Sequence, residues 1–245
     1  MSDPLGLSIG TTNLVAARVG NQPVIRRSVL PVANGMVLGG FVERVGDPVP
    51  LVAPDGSTHH ADRLLVEALA AIVSASGGHT GADIAIAVPA HWSPGTVNAL
   101  RDSLYAKPQL APNGTPARLV SDAVASLTAL TANPGLTSHG VVALLDFGGG
   151  GTSITLADAG AAFQPIAETI RYADFSGDQI DQALLSHILD GIASTGAVDP
   201  AGTAAVGSLT RLREECRSAK ELLSSESMTD VVAELPGSGR PSGWF

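Results

Sequence analysis

The sequence contains little cysteine, lysine or charge, and each shortage excludes a class of protein. A single cysteine, Cys216, cannot form an internal disulfide, which predicts a reducing, cytoplasmic compartment. The only lysines are Lys107 and Lys220, and the net charge of −9 argues against a nucleic-acid surface. No apolar run approaches the roughly 18 residues that span a bilayer, and no basic-then-apolar leader opens the sequence. We therefore expect a cytoplasmic protein with no nucleic-acid partner and no membrane span in this chain; attachment by a segment beyond residue 245 stays open.

Apolar residues are plentiful by contrast, and their spacing predicts a mixed α/β protein. They make up 44% of the chain, which is ample for a buried core. Short apolar runs predict strands, and apolar residues at helical spacing predict helices over 61–76, 93 onward, 122–130, 177–192 and 206–225. A Pro-Gly break near 131–139 divides this pattern. We predict one lobe over residues 1–135 and a second over residues 140–245.

The stretch 141–157 organises the second predicted lobe. An apolar strand, Val141–Leu145, is followed by Asp146 and then by four consecutive glycines, Gly148–Gly151. A second strand begins at Thr152. Four glycines after a carboxylate and before a hydroxyl suit a loop whose backbone N–H groups approach an anion closely. A flexible hairpin with no ligand is the alternative interpretation.

The N-terminus carries a second loop of the same layout. An apolar strand, Leu5–Ile9, leads into Gly10-Thr11-Thr12-Asn13 and then into another strand. Two such hairpins in one chain indicate a duplicated phosphate clamp. The Walker pattern Gly-x4-Gly-Lys-Ser/Thr does not occur, so the loops are not those of a P-loop nucleotidase.

With these two loops the sequence resembles the nucleotide-binding domain of Hsp70 chaperones, as a divergent member of the actin-like ATPase superfamily. In that family the first hairpin reads roughly Gly-Ile-Asp-Leu-Gly-Thr-Thr-Asn and the second Asp-Leu-Gly-Gly-Gly-Thr. Four further segments are similar to family motifs in the same order, over 86–92, 118–125, 175–181 and 211–225. The resemblance implies a duplicated α/β, ribonuclease H-like fold with two lobes around a nucleotide cleft, here truncated at its C-terminal end.

The resemblance also implies a set of site residues. ATP or ADP with Mg²⁺ would bind between the two loops. The expected contacts to nucleotide are Gly10, Thr11, Thr12, Asn13, Gly148, Gly149, Gly150, Gly151, Thr152, Lys220 and Ser224. Asp146 is expected to hold Mg²⁺ through water, and Asp122, Asp146 and Thr152 form the expected catalytic set. Asp122 is equally well explained as a helix N-cap, and Lys220 and Ser224 as an exposed helix end.

Two departures from the family pattern weaken the expected chemistry. The aspartate of the first family loop is replaced by Ser8, which removes a carboxylate directed at Mg²⁺. The catalytic lysine of the family falls in the shortened region 31–62, where this chain has none. Arg44 is the candidate replacement by position. Arg217 stands where the family has a glutamate near the adenosine pocket.

These observations favour an ATP-binding, nucleotide-dependent chaperone switch whose ATPase activity is weak or absent. Its partners would be nucleotide and a client or co-chaperone protein. The alternative is a non-catalytic scaffold that has kept the actin-like fold for protein interaction. A sugar or acetate kinase of the same superfamily is a third hypothesis, but no motif supplies the aspartate base that a sugar kinase needs.

Overall fold

A computed structural model describes residues 4–32, 35–78, 83–132, 136–194 and 203–232. The chain forms two compact units, 1–171 and 172–245. The lobe boundary predicted near 131–139 lies inside the first unit, and its break at residues 133–135 lies outside the described residues, so the two-lobe division stays a prediction.

The first unit is built on a five-stranded sheet in the order β3-β2-β1-β8-β9. Its strands are β1 (Leu5–Ile9), β2 (Asn13–Ala17), β3 (Val24–Arg27), β8 (Ile84–Val88) and β9 (Arg118–Ser121). The first three strands pair antiparallel, whereas β1, β8 and β9 run parallel to one another. The alternating burial of β1 and β8 follows from the period-two pattern of their apolar residues.

Two helices complete the core of this sheet. The helix α1 (Ala61–Ala75) buries an apolar face that includes Leu65, Leu69 and Ile72. The helix α2 (Pro94–Leu104) begins as predicted, because the Ser93 hydroxyl accepts a hydrogen bond from the Thr96 amide at 3.1 Å. A third helix, α3 (Asp122–Leu130), follows β9 directly.

Short elements fill the region 29–59, where the sequence predicts loops and brief strands. Two small antiparallel pairs form there, β4 (Val29–Pro31) with β5 (Val37–Gly39) and β6 (Leu51–Val52) with β7 (Thr58–His59). A single 3₁₀ turn, Val42–Arg44, lies between them. The turn is anchored by the fully buried Phe41 and by Val42.

A second sheet in the first unit carries the glycine run. Its long hairpin pairs β10 (Val141–Phe147) with β11 (Thr152–Asp158) over seven residue pairs. Two short strands, β12 (Gln164–Pro165) and β13 (Ile170–Tyr172), also pair with β11. The sequence pattern predicts one strand over 161–171, and the structure has two brief strands there instead.

The second unit contains α4 (Gly177–Ser194) and α5 (Thr203–Leu222). They share a small apolar cluster formed by Leu185, Ile188, Leu212 and Cys216. The sequence pattern also predicts a final strand over 229–235. No strand forms over residues 229–232, and the rest of that segment lies outside the described residues. No helix in the described part of the chain is long and apolar enough to cross a membrane.

Candidate functional site

The candidate site begins where the three parallel strands end. Gly10 follows β1, Pro89 follows β8, and Asp122 follows β9. Because β1, β8 and β9 are neighbours and parallel, their carboxyl ends lie along one edge of the sheet. In open α/β sheets this edge is the usual place for ligands.

Both glycine loops close with the same backbone geometry. The Gly10 amide donates to the Asn13 carbonyl at 3.0 Å, and the Gly148 amide donates to the Gly151 carbonyl at 3.0 Å. A Cβ on Gly10 would lie 2.9 Å from the Asn13 carbonyl oxygen, and a Cβ on Gly148 would lie 2.9 Å from the Gly151 carbonyl oxygen. Both distances are too short for a residue other than glycine. The duplication predicted from the sequence is thus present as two turns of matching shape.

The tips of the two loops are in direct contact. The Gly150 amide donates to the Thr11 hydroxyl at 3.0 Å, although 139 positions separate the two residues. A Cβ on Gly149 would collide with the Thr12 Oγ1 and lie 3.0 Å from the Thr12 Cβ. Two hydroxyls and two glycines therefore share one small volume, and only glycine permits that approach.

Two further residues of the predicted set occupy the ends of the hairpins. Asn13 is the first residue of β2, and its side-chain oxygen lies 3.5 Å from an Arg27 nitrogen. Thr152 is the first residue of β11 and is buried, paired with Phe147 across the hairpin. Asn13 is three positions after Gly10, and Thr152 directly follows Gly151.

Ser28 braces the first loop and was missed at the level of sequence. Its hydroxyl donates to the Gly10 carbonyl at 2.6 Å, and its amide donates to the Thr12 carbonyl at 2.9 Å. The side chain is almost fully buried. A serine one residue beyond β3 carries no motif, so only the pairing of β3 with β2 reveals this role.

Asp122 bonds across the edge of the sheet and also within its own helix, where its carboxylate accepts a bond from the Ala123 amide. Ser121 occupies the N-cap position of α3, and the Asp122 carboxylate accepts a hydrogen bond from the Ala90 amide at 2.8 Å. Burial raises the pKa of Asp122 from 3.8 to about 6; the nearby Asp146 adds to the rise, and the Ala90 bond opposes it. The N-cap interpretation is wrong, and the aspartate is a partly buried acid beside a second one.

Asp146 lies near the end of β10, beside the glycine run and exposed to solvent. It is close enough to Asp122 for the two negative charges to repel. The described residues include no group of three or more potential metal ligands from His, Cys, Asp and Glu. Two carboxylates suit a Mg²⁺ ion that takes its other ligands from phosphate and water, which is how Mg²⁺ commonly binds.

An arginine–glutamate pair lies against the second loop, and the sequence analysis did not predict it. The Arg171 Nη2 is 2.9 Å from the Glu43 Oε1, and both groups lie near Gly150. His91 is close by. Burial, with the positive charge of Arg171, lowers the pKa of His91 from 6.5 to about 4, so this imidazole is neutral at pH 7.

Comparison with known proteins agrees with this geometry. The family model described as Hsp70 protein matches residues 57–238, which is more than half of the chain. The chain belongs to the Hsp70 family. No curated protein sequence matches it. The family match includes the second glycine loop but begins after the first one, whose assignment rests on its residues and on the matching turn.

Membership in the Hsp70 family carries the actin-like ATPase fold and a nucleotide-binding, chaperone-type function. Proteins of this family bind ATP or ADP with Mg²⁺, and they bind clients and co-chaperones. The mixed α/β architecture of the first unit is compatible with that fold.

Arg44, the candidate replacement for the family lysine, and Lys107 each form an ion pair with a nearby carboxylate. The Arg44 Nε is 2.8 Å from the Asp47 carboxylate, and its Nη2 donates to the Val49 carbonyl at 2.9 Å. Lys107 is 2.6 Å from the Glu67 carboxylate, where it joins the end of α2 to α1. Both side chains are engaged in local structure.

The predicted adenosine residues lie in the second unit. Lys220 is 2.6 Å from Asp181, whose side chain is almost fully buried, and it also donates to the Gly177 carbonyl at 2.8 Å. Arg217 contacts the same aspartate at 3.3 Å. Ser224 is exposed, two residues beyond the end of α5. Lys220 is therefore held in an ion pair instead of forming the exposed helix end that the sequence allowed.

The raised pKa of Asp122 predicts a pH-dependent stability cost. Because the folded state holds its proton more tightly than the unfolded state, stability falls as pH rises from about 4 to about 6. Asp122→Asn keeps an oxygen for the Ala90 amide but cannot ionise. We expect the variant to be more stable than the unmodified chain at pH 7.5, by on the order of 2 kcal/mol, and nearly equal at pH 4.

Urea denaturation at the two pH values measures this difference. Asp102→Asn, which removes an exposed carboxylate from α2, controls for the change in net charge. If Asp122→Asn changed the free energy of unfolding equally at pH 4 and pH 7.5, ionisation of Asp122 would not destabilise the folded state.

Proposed function

We propose that this chain is an ATP- and ADP-binding switch domain of the Hsp70 type in which hydrolysis is slow or absent. The observation that carries the proposal is the contact between two glycine loops of matching shape at the carboxyl edge of parallel strands. Loops that present backbone N–H groups and threonine hydroxyls at one place are suited to phosphate, which accepts many hydrogen bonds.

The proposed roles follow from position. Thr11, Thr12, Gly149 and Gly150 bind the phosphates, Gly10 and Gly148 permit the turns, and Asn13, Gly151 and Thr152 hold the hairpin ends. The Thr11–Gly150 hydrogen bond is exchanged for bonds to phosphate when nucleotide binds. Lys220 and Ser224 are the proposed adenosine contacts.

Magnesium would arrive with the nucleotide in this proposal. Asp146, and Asp122 beside it, would hold water molecules of the ion, while phosphate oxygens complete an octahedral set. A cation between the two carboxylates would offset the burial of the Asp122 charge, which is the main cause of its raised pKa, and also the smaller repulsion from Asp146.

Slow hydrolysis follows from the groups that are missing. Ser8 replaces the acid of the first loop, and the chain has no lysine before Lys107. Charge that develops in phosphoryl transfer is normally stabilised by such groups, and losing one typically costs about 10²–10³ in rate. Asp122, with a pKa of about 6, is mostly ionised at pH 7 and is able to accept a proton from water, which supports residual activity.

A non-catalytic scaffold is the second candidate function. The replacement of an acid by Ser8, and the direct bonding of one loop to the other, both favour it. The two candidates differ in whether nucleotide binds. Calorimetric titration with Mg·ATP and Mg·ADP separates them.

The first prediction for this function concerns Gly149. Any side chain at this position collides with Thr12, so Gly149→Val should disrupt the loop contact and reduce the affinity for Mg·ADP at least tenfold. Gly6→Val is the matched control, because a Cβ on Gly6 in β1 makes only an ordinary contact at 3.7 Å. Thermal melting of both variants checks the fold.

If Gly149→Val binds Mg·ADP as tightly as the Gly6→Val control, the loop is only a turn. If the unmodified chain binds no nucleotide, the scaffold function is the correct one.

The second prediction concerns turnover. We expect phosphate release from Mg·ATP at least about 10²-fold slower than in an intact Hsp70 nucleotide-binding domain that has both the acid and the lysine. Ser8→Asp should lower the Mg²⁺ concentration needed for nucleotide binding more than it raises the rate, because the lysine is still missing. Release as fast as that of the intact domain would contradict this interpretation.

A further inference from the structure

Arg171 and Glu43 meet at the second glycine loop and lie next to the loop contact. A Cβ on Gly150 would be 2.6 Å from the Glu43 Oε1, 3.1 Å from the Arg171 Nη2 and 3.2 Å from the Thr11 Oγ1. A carboxylate, a guanidinium and a hydroxyl thus surround the α-carbon of the residue whose amide bonds to Thr11. A negative charge is already present where the loops come together.

The two partners differ in how firmly they are held. The Arg171 side chain is only 19% exposed, whereas that of Glu43 is 50% exposed. Arg171 lies on β13, which pairs with β11 of the glycine hairpin. Glu43 extends from the 3₁₀ turn Val42–Arg44. The Arg171 guanidinium is therefore held in place, whereas the Glu43 carboxylate can move into solvent at little cost in free energy.

The turn that carries Glu43 is held by contacts that do not involve the Glu43 side chain. Phe41 is fully buried, and the Arg44 side chain ties the turn to Asp47 and to the Val49 carbonyl. The Glu43 carboxylate can therefore leave by a change of side-chain torsions without breaking these contacts. Exchange of one anion for another at Arg171 needs no rearrangement of the fold.

Arginine is also the side chain best suited to take a phosphate in place of a carboxylate. Its planar guanidinium presents several N–H donors and binds phosphate oxygens in pairs, with a charge that persists at all physiological pH values. The hydrogen bond from Arg171 to Glu43 is donated by the Nη2 of the guanidinium.

We propose that Arg171 is the phosphate-binding cation of this site and that the Glu43 carboxylate is an internal competitor that occupies the phosphate position. The inference rests on the proposed function, because it assumes that the glycine loops bind a phosphate group. The positive charge assigned to Arg171 acts in phosphate binding, and the lysine that fast hydrolysis needs is still missing. Nucleotide affinity then depends on the displacement of Glu43.

The test uses two variants at the pair and two matched variants elsewhere. Glu43→Gln and Arg171→Gln each remove one charge from the pair. Glu67→Gln and Lys107→Gln make the same charge changes in the ion pair between α1 and the end of α2, which contains no loop residue. Calorimetric titrations with Mg·ADP, inorganic phosphate and adenosine separate phosphate binding from nucleoside binding.

We expect Glu43→Gln to bind Mg·ADP about tenfold more tightly than the unmodified chain, since the competing carboxylate is gone. Arg171→Gln should bind it at least tenfold more weakly, and the double variant should behave like Arg171→Gln. Adenosine affinity should not change in any variant. Glu67→Gln and Lys107→Gln should match the unmodified chain.

Tighter binding in Glu43→Gln is a result that a merely structural ion pair would not produce. Arg171→Lys, which keeps the charge, guards against misfolding and should retain more affinity than Arg171→Gln. The inference is overturned if Gly149→Val loses Mg·ADP binding while Glu43→Gln and Arg171→Gln both bind like the unmodified chain. Loss of the proposed function looks different, because then neither the unmodified chain nor Gly149→Val binds Mg·ADP.

Discussion

The arrangement of the site depends on the lack of a side chain at Gly149 and Gly150. The loops after β1 and β10 approach so closely that a Cβ on Gly149 would overlap Thr12, and one on Gly150 would press on Glu43 and Arg171. This approach allows the Thr11 hydroxyl to bond to the Gly150 amide. The glycine run therefore allows the loop after β1 and the loop after β10 to come into contact. This close approach, more than backbone flexibility, explains why glycines occupy these positions.

The charged groups around the loops form two sets: an arginine in an ion pair, and two neighbouring carboxylates. Arg171 has a carboxylate partner, whereas the pKa of Asp122 is raised, chiefly by burial and to a smaller extent by Asp146. Such unfavourable burial of charge is common at functional sites, where a ligand supplies the missing counter-charge. A phosphate for Arg171 and a metal ion for the two aspartates would satisfy both halves of the site.

Sequence reasoning found the parts of this site that have a local signature. Apolar strands that end in glycine predicted both loops, and Ser93 before proline predicted the start of α2. Arg171 and Glu43 are 128 positions apart with no motif at either residue, so their pairing follows only from the contact of the turn Val42–Arg44 with β13. The direction of Asp122 likewise depends on the parallel pairing of β8 with β9, which brings the Ala90 amide within reach.

The central claim is that the two glycine loops form one phosphate site, and NMR of the glycine amides tests it most directly. Spectra of the chain with isotope-labelled glycine would be recorded with adenosine, with Mg·ADP and without ligand. If both loops bind the phosphates, the amide resonances of Gly10, Gly149 and Gly150 shift together with Mg·ADP and stay unchanged with adenosine. Binding of Mg·ADP that leaves all three resonances unmoved would contradict this claim.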